Sequence, residues 1–305
     1  MTTNLNNPMP YNVQPVDRDN LATFIQYCGE FGKQHDESYL PEADFELSDQ
    51  QPAYLLYENG EACGAVSLIR KPAYVEARKG RFAIFHARKT ELEPYAQLSQ
   101  AISAHFSELD KVYLFIPQDR EATLSVFSQM GYELERISYV LRLSQPQEHA
   151  LEFASGYQMA AVNPQDPRGL QDFCAVINQA FSKTAGHVEL YVDEVRTWFE
   201  DRTYLPAGIC VLYNANQPIG SVAIFRDMDE QTCSEIISLG VLESYRGQGL
   251  GRQLLRYAIN FSLAHDLHTI YLSVNGENDT ATRLYRSEGF ESIETAVCMA
   301  LKVER

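Results

Sequence analysis

The sequence predicts an α/β protein made of two tandem modules, each a mixed, mostly antiparallel sheet flanked by helices. Three observations carry that prediction. The chain is 305 residues long, enough for two hydrophobic cores of roughly 150 residues each. Its second half repeats landmarks of the first at a nearly constant spacing. Within each half, β-rich runs alternate with stretches whose apolar residues recur at helical spacing, the pattern of a layered α/β domain.

The repeat can be followed block by block. VYLFIP (112–117) lies over IYLSVN (270–275), and FSQMGYE (127–133) over YRSEGFE (285–291). Gly131 and Gly289 are 158 residues apart, as are Phe127 and Tyr285, Leu114 and Leu272, and Leu143 and Leu301. Upstream, LLYENGEACGAVSLIR (55–70) matches VLYNANQPIGSVAIFR (211–226) at an offset of 156, which sets Tyr57 on Tyr213, Gly64 on Gly220 and Arg70 on Arg226. So many blocks in one order point to an internal duplication.

Each half runs through the same elements. A helical region opens it (17–30; then 168–182 and 192–201). A hairpin follows, its β-rich runs broken by the turn sequences ENGE and NANQP. Next come a strand (RFAIFHA, 81–87; EIISLGV, 235–241), a helix (YAQLSQAISAHF; GRQLLRYAINFSLA), a strand, a helix and a closing strand. The helix after EIISLGV is marked by Leu250, Leu254, Ala258 and Phe261 on one face, with Leu255 and Ile259 beside them. Polar SQPQEHALEFASG (144–156) reads as the linker, giving modules at 1–147 and 154–305.

Composition narrows the function classes. Hydrophobic residues make up 45% and charged residues 22%, a globular profile. The opening MTTNLNNPMP has neither a basic start nor an apolar core, and no run approaches the roughly 18 apolar residues of a membrane helix. A cytoplasmic protein without membrane contact is expected. The net charge of -16 argues against a nucleic-acid surface and favours a cationic or amine-bearing small partner. Cys28, Cys63, Cys174, Cys210, Cys233 and Cys298 lie far apart, without metal spacing, and mostly among apolar residues. They read as small core hydrophobes rather than disulfides or metal ligands.

One stretch carries chemistry. RGQGLG (246–251) follows a predicted strand and opens a predicted helix. Backbone N–H groups at a helix start are unpaired and partly positive, so an anion docks there. Glycines let backbone approach a diphosphate, and Arg246 and Arg252 bracket the loop with charge. A P-loop would need Gly-Lys-Ser/Thr, which is absent. A dinucleotide-binding loop needs G-x-G-x-x-G, whereas the spacing here is G-x-G-x-G after hairpin strands. A tight turn accounts for one glycine better than for three. From the loop alone, a phosphate site and a purely structural turn both stay open.

Read together, Leu239-Gly240-Val241, the loop Arg246-Gly247-Gln248-Gly249-Leu250-Gly251, and SVNGENDTATRLYRSEGF (273–290) resemble the GNAT superfamily of acyl-CoA N-acyltransferases. The loop matches its Q/R-x-x-G-x-G/A signature, and Asn275, Asn278, Ala281, Tyr285, Gly289 and Phe290 match its next block in order. The resemblance covers roughly 155–305, and the tandem layout is similar to two-module acetyltransferases of the mycothiol synthase type. It implies two tandem GNAT-like modules. It also implies that the amides of Gly247 to Gly251, with Arg246 and Arg252, hold the pyrophosphate of acetyl-CoA. Leu239, Gly240 and Val241 would meet the pantetheine arm and the thioester oxygen, and Asn278 would contact the arm further on. Tyr285 is the position of the general acid that protonates the departing thiolate, a role suited to a phenol with pKa near 10; a core aromatic is the plainer reading. Glu235 matches a strand position that carries a base in some members. Glu243 is a weaker candidate, and His187 reads as a surface histidine.

The first half departs from the signature. An offset of 157 sets KTELEP (89–94) over the loop, bringing in Glu91 and Glu93 where glycines stood. Such glutamates imply that the glycines are not demanded by the turn alone. A carboxylate about 4 Å from a phosphate charge costs about 4 kcal/mol at an effective dielectric near 20. Phe127 replaces the tyrosine, and Pro117 and Arg120 the asparagines. This half is expected not to bind coenzyme A at the equivalent place. The chain as a whole reads as an acetyl-CoA-dependent N-acetyltransferase of a small amine acceptor, with residues 182–206 and the first half shaping the acceptor pocket. The alternatives are a non-catalytic acyl-CoA sensor and mycothiol-synthase-like acetylation of an amino sugar conjugate.

Overall fold

The computed structural model describes residues 11–35, 39–228 and 230–304. It divides into two compact units, Met1–Ile137 with Thr295–Arg305, and Ser138–Glu294. The sequence places the boundary near 150, but the units cut elsewhere for a topological reason. The closing strand of each repeat leaves its own half and completes the sheet of the other.

In the first unit, β1 (Tyr11–Pro15), β2 (Ala53–Glu58), β3 (Glu61–Ile69) and β4 (Lys79–Ala87) run antiparallel in that order. The hairpin between β2 and β3 turns on Asn59 and Gly60, both at positive φ (53° and 86°) as a tight two-residue turn requires. β4 then pairs parallel with β5 (Lys111–Pro117) over Lys79–Arg81 alone. β5 is flanked by Ala296–Lys302 of the chain's last strand, antiparallel. One face carries α1 (Leu21–Phe31), which buries Phe24, Tyr27 and Cys28 against Leu55, Ala65 and Ile84. This helix starts later than expected. Asp17 and Asn20 first close a turn in which the Asp17 N–H donates to Asn20 Oδ1 (2.9 Å) and the Asp19 N–H to Asp17 Oδ1 (2.8 Å). A one-turn α2 (Pro72–Glu76) links β3 to β4. The other face carries α3 (Leu92–Ile102) and α4 (Glu121–Gln129), packed through Tyr95, Leu98 and Phe127.

The second unit repeats this plan. β6 (Glu133–Leu143) contributes Ser138–Leu143, antiparallel to β11 (Thr269–Asn275). β10 (Cys233–Val241), β9 (Gln217–Arg226), β8 (Tyr204–Asn214) and β7 (Tyr157–Ala161) follow outward. α5 (Pro167–Phe181) and α6 (Val192–Trp198) cover one face, and α7 (Leu250–Ala264) and α8 (Asp279–Ser287) the other. Asp166 caps α5 by accepting from the Arg168 N–H (3.0 Å). The chain ends in β12 (Glu291–Lys302), whose later part belongs to the first unit.

The segment expected to be a linker is docked. The His149 backbone N–H and carbonyl both bond the side-chain amide of Asn260 on α7 (2.8 Å each), and the Glu152 N–H donates to Gln253 Oε1 (2.9 Å). All six cysteines are buried and free. Among the described residues, no helix is long and apolar enough to cross a membrane.

Tyr95 is wholly buried between Phe85 and Phe127 (ring centroids 5.8 and 5.4 Å). Replacing a buried aromatic by alanine typically costs about 3–5 kcal/mol, so Tyr95→Ala should lower stability to urea unfolding by that amount. A loss under about 1 kcal/mol would show that the ring is not core.

Candidate active site

The site begins where two strands part. β10 lies parallel to β11 only over Cys233–Ile236. Beyond that its register is with β9 alone, and it slips between Ile237 and Gly240. At the slip Ser238 has φ 54°, an unusual value for a residue with a side chain, in a β-bulge. Ser221 on β9 donates from Oγ to the Ser238 carbonyl (3.1 Å) and so holds the bulge. Leu239 to Val241 therefore sit on an open strand edge, to which an extended chain can add by backbone hydrogen bonds. Gly240 makes this possible on the other side. A Cβ there would lie 2.9 Å from the Phe181 ring and 3.1 Å from Ala180, so only glycine lets α5 pack on the bulged strand.

The loop that follows turns into α7. Gly247 (φ 78°) and Gly249 (φ 79°) take left-handed backbone that other residues adopt at a cost. A Cβ on either would meet no atom within 4 Å, so the demand is conformational and the space around them is open. Gly249 caps α7 without any side-chain acceptor, and residues 246–249 are exposed. The first-turn N–H groups of α7 thus face outward without a capping side chain, which suits an anion. Leu250 is buried and anchors the turn, whereas Gln248 accepts from the Tyr157 hydroxyl (3.3 Å). Gly251 lies beside α8, and a Cβ there would make an ordinary contact with Leu284 at 3.6 Å.

The two bracketing arginines are not aimed at the loop, contrary to the sequence expectation. Arg246 Nε donates to the Val241 carbonyl (3.0 Å) and Nη2 to the Ala180 carbonyl (2.9 Å), tying the end of β10 to α5. Arg252 points back to α8 and pairs with Glu288, whose side chain is 2% exposed and which also binds Arg256 (2.8 Å). Both guanidiniums are engaged by backbone or carboxylate acceptors. No spacing rule marked Glu288 in advance. Its role follows from α7 and α8 lying side by side, which is a tertiary fact.

Tyr285 on α8 is 7% exposed and packs against Phe290 (6.1 Å) in the core under α7. Among the described residues none hydrogen-bonds its hydroxyl. Burial pushes its pKa up to about 12, so the phenol keeps its proton throughout the neutral range. Asn278 caps α8, its Oδ1 accepting from the Ala281 N–H (3.1 Å); its amide nitrogen is what remains for a ligand. Glu235 is exposed and pairs in register with Phe225, which packs under α5 and α6. Cross-strand partners share a face, so Glu235 and Tyr285 lie on opposite faces of the sheet. Glu243 is exposed and engaged by Lys183 (2.8 Å). His187 stacks on Phe181 (6.5 Å).

The first unit has the same parting of strands and fills it. Gly64 and Gly220 correspond in sequence, and a Cβ at each would meet one leucine at 3.1 Å, Leu98 and Leu254 respectively. That correspondence fixes a frame of 156 for α3 and α7, one residue from the sequence alignment. Glu91, Glu93 and Tyr95 then stand for Gly247, Gly249 and Gly251. Glu91 is extended (φ -124°), and no residue from 88 to 95 has positive φ. The two halves make different turns, so the second turn does demand its glycines. Tyr95 reaches the Ala87 carbonyl (3.5 Å) and closes the parting with Phe85 and Phe127.

The second unit brings together a splayed parallel pair, an amide loop at a helix start and a buried phenol on the next helix. Residues 171–290 match the acetyltransferase (GNAT) family, and this part of the chain is a domain of that family. N-alpha-acetyltransferase RimI of Mycobacterium tuberculosis is 41% identical over 59 residues, which is 19% of this chain and 35% of that protein. A mycothiol acetyltransferase of Propionibacterium freudenreichii is 26% identical over 179 residues, 56% of this chain and 55% of its own. A GCN5-related N-acetyltransferase from Sphaerobacter thermophilus shares the fold over 98% of this chain and 97% of its own, with a TM-score of 0.72 at 17% identity. The chain spans between 16% and 55% of the length of the curated relatives it matches.

The pH behaviour of Tyr285 checks its burial. The unfolded chain releases this proton near pH 10, whereas the folded chain holds it to about 12. Its contribution is intact below pH 10 and is lost as pH rises through 12, at up to about 1.4 kcal/mol per pH unit. Urea midpoints between pH 9 and 11.5 should therefore fall less steeply in Tyr285→Phe than in the unaltered protein. Parallel curves would show that the phenol is hydrated.

Proposed function

We propose that the protein is an acetyl-CoA-dependent N-acetyltransferase whose working site lies in the second unit. It acts on the primary amine of a small acceptor by direct attack on the thioester. The observation that carries this reading is the coincidence in one unit of an exposed, positively disposed amide loop, an open β10 edge and Tyr285. The first unit has the same fold without the loop or the phenol.

The residues fit the donor. Open space beside Gly247 and Gly249 leaves room for phosphate oxygens against the backbone, and the amides up to Gly251 supply the contacts. Bound acetyl-CoA supplies an acyl group activated as a thioester. Along β10, the Val241 carbonyl is held by Arg246, which leaves Leu239 as the partner for the pantetheine amides. A backbone N–H at the bulge would take the thioester oxygen as it gains charge, an effect typically worth about 3 kcal/mol. Tyr285, protonated at neutral pH, gives its proton to the departing sulfur. Glu235, on the α5/α6 face, takes the proton of the incoming amine. The mycothiol acetyltransferase relative supports a small acceptor, and the net charge of -16 suits a cationic one.

Acetyl-CoA should raise the melting temperature where NAD does not; no shift with acetyl-CoA would overturn the reading. Free thiol should appear on adding a responsive member of an amine panel, and binding without release under every amine would mark a sensor instead. Tyr285→Phe should lower kcat about 100-fold, within the span of general acid catalysis, with the Kd for acetyl-CoA nearly unchanged. Gly249→Glu should abolish binding, because it strains the turn and places a carboxylate among the amides.

A further inference from the structure

We infer that Glu288 is a positioning residue of the transfer site, one buried carboxylate that ties the end of α8 to the first two turns of α7 and withholds Arg252 from the amide loop. The inference rests on the acyl-CoA reading of the second unit.

Glu288 sits just past the last turn of α8, three residues from Tyr285. Its backbone N–H donates to the Tyr285 carbonyl (3.1 Å) and the Leu284 carbonyl (3.2 Å). Its carboxylate accepts from Arg252 Nη1, and from Arg256 Nε (2.8 Å) and Nη2 (3.2 Å). His149 Nε2 stands 3.9 Å away on the docked segment. Burial alone would raise its carboxyl, but the hydrogen bonds and charges of Arg256 and Arg252 hold it below the usual range. The carboxylate thus joins the end of the helix that carries the candidate acid to the candidate phosphate helix.

The arrangement meets an electrostatic need. Arg252 lies in the first turn of α7, where the helix dipole disfavours a cation. Pairing with a buried carboxylate offsets that. It also fixes the separation of α7 and α8 beside Gly251, and hence the place of Tyr285 relative to the loop. Without the carboxylate, Arg252 and Arg256 would repel each other, and Arg252 would be free to reach an anion held at the amide loop.

The test uses the full chain. Glu288→Gln keeps shape and removes charge. It should lower kcat about tenfold, leave CoA affinity unchanged or tighter, and make that affinity fall more steeply with salt, since a freed Arg252 now meets phosphate. Glu288→Asp should restore part of kcat. A merely structural residue would leave the affinity and its salt dependence unmoved in the folded fraction. Unaltered kcat, KM and salt dependence in Glu288→Gln overturn the inference. If that variant fails to fold, Arg252→Gln decides. A severalfold lower kcat with CoA affinity within twofold supports the clamp, whereas a tenfold weaker affinity at constant kcat would put Arg252 on the phosphate and overturn it. Failure of the unaltered protein to bind acetyl-CoA would instead remove the reading of the site on which the inference rests.

Discussion

The open strand edge of the second unit depends on β10 leaving β11 after Ile236. A parallel pair that stayed in register would satisfy its own backbone groups and offer nothing. The departure is forced by one extra residue, with Ser238 in left-handed backbone and Ser221 holding its carbonyl. Such strain persists where the surroundings over-determine it. Here they include α5, which presses Phe181 and Ala180 onto Gly240, and Arg246, which links the carbonyls at the ends of β10 and α5. The arginine beside the loop is a brace for the strand edge before it is anything else.

The first unit shows that parting strands are not a site in themselves. Its parallel contact is one pair shorter, over Lys79–Arg81, yet Tyr95, Phe85 and Phe127 fill the gap with one tilted and two edge-on aromatic contacts. Where the second unit has Gly251, the first has Tyr95, whose ring is wholly buried. The same frame carries packed aromatics in one copy and left-handed glycines with open space beside them in the other.

Much of this was legible in the sequence. The repeat, the hairpin turns and the helix face of Leu250, Leu254 and Ala258 all follow local periodicity, and the structure follows them, but it opens each half with a short strand, β1 or β7, where the sequence places a helix first. What sequence could not show were relations between distant segments. The exchange of closing strands depends on pairing partners, which periodicity does not encode. Arg246 and Arg252 look like phosphate ligands because they flank the loop, yet their nearest acceptors are the carbonyls of Val241 and Ala180 and the Glu288 carboxylate. The frame of α3 against α7 was off by one because no residue there anchors an alignment. Packing of Leu98 and Leu254 over paired glycines supplied it.

Charge gives these features a common logic. A chain of net charge -16 repels a phosphate-bearing ligand at long range, so attraction has to come from short-range groups that cost no reorganisation. Backbone amides at a helix start are such groups. They are fixed by the turn, need no counterion and keep their polarity at any pH. Free arginines would be stronger attractors but also mobile ones, and in the first turn of α7 they would oppose the helix dipole. Holding Arg252 and Arg256 on one buried carboxylate leaves a net positive background of one charge behind the loop while freeing the amides to set geometry. On the proposed reading, affinity would come from the shape of the turn, and Gly247 and Gly249 would matter more to it than the cations beside them.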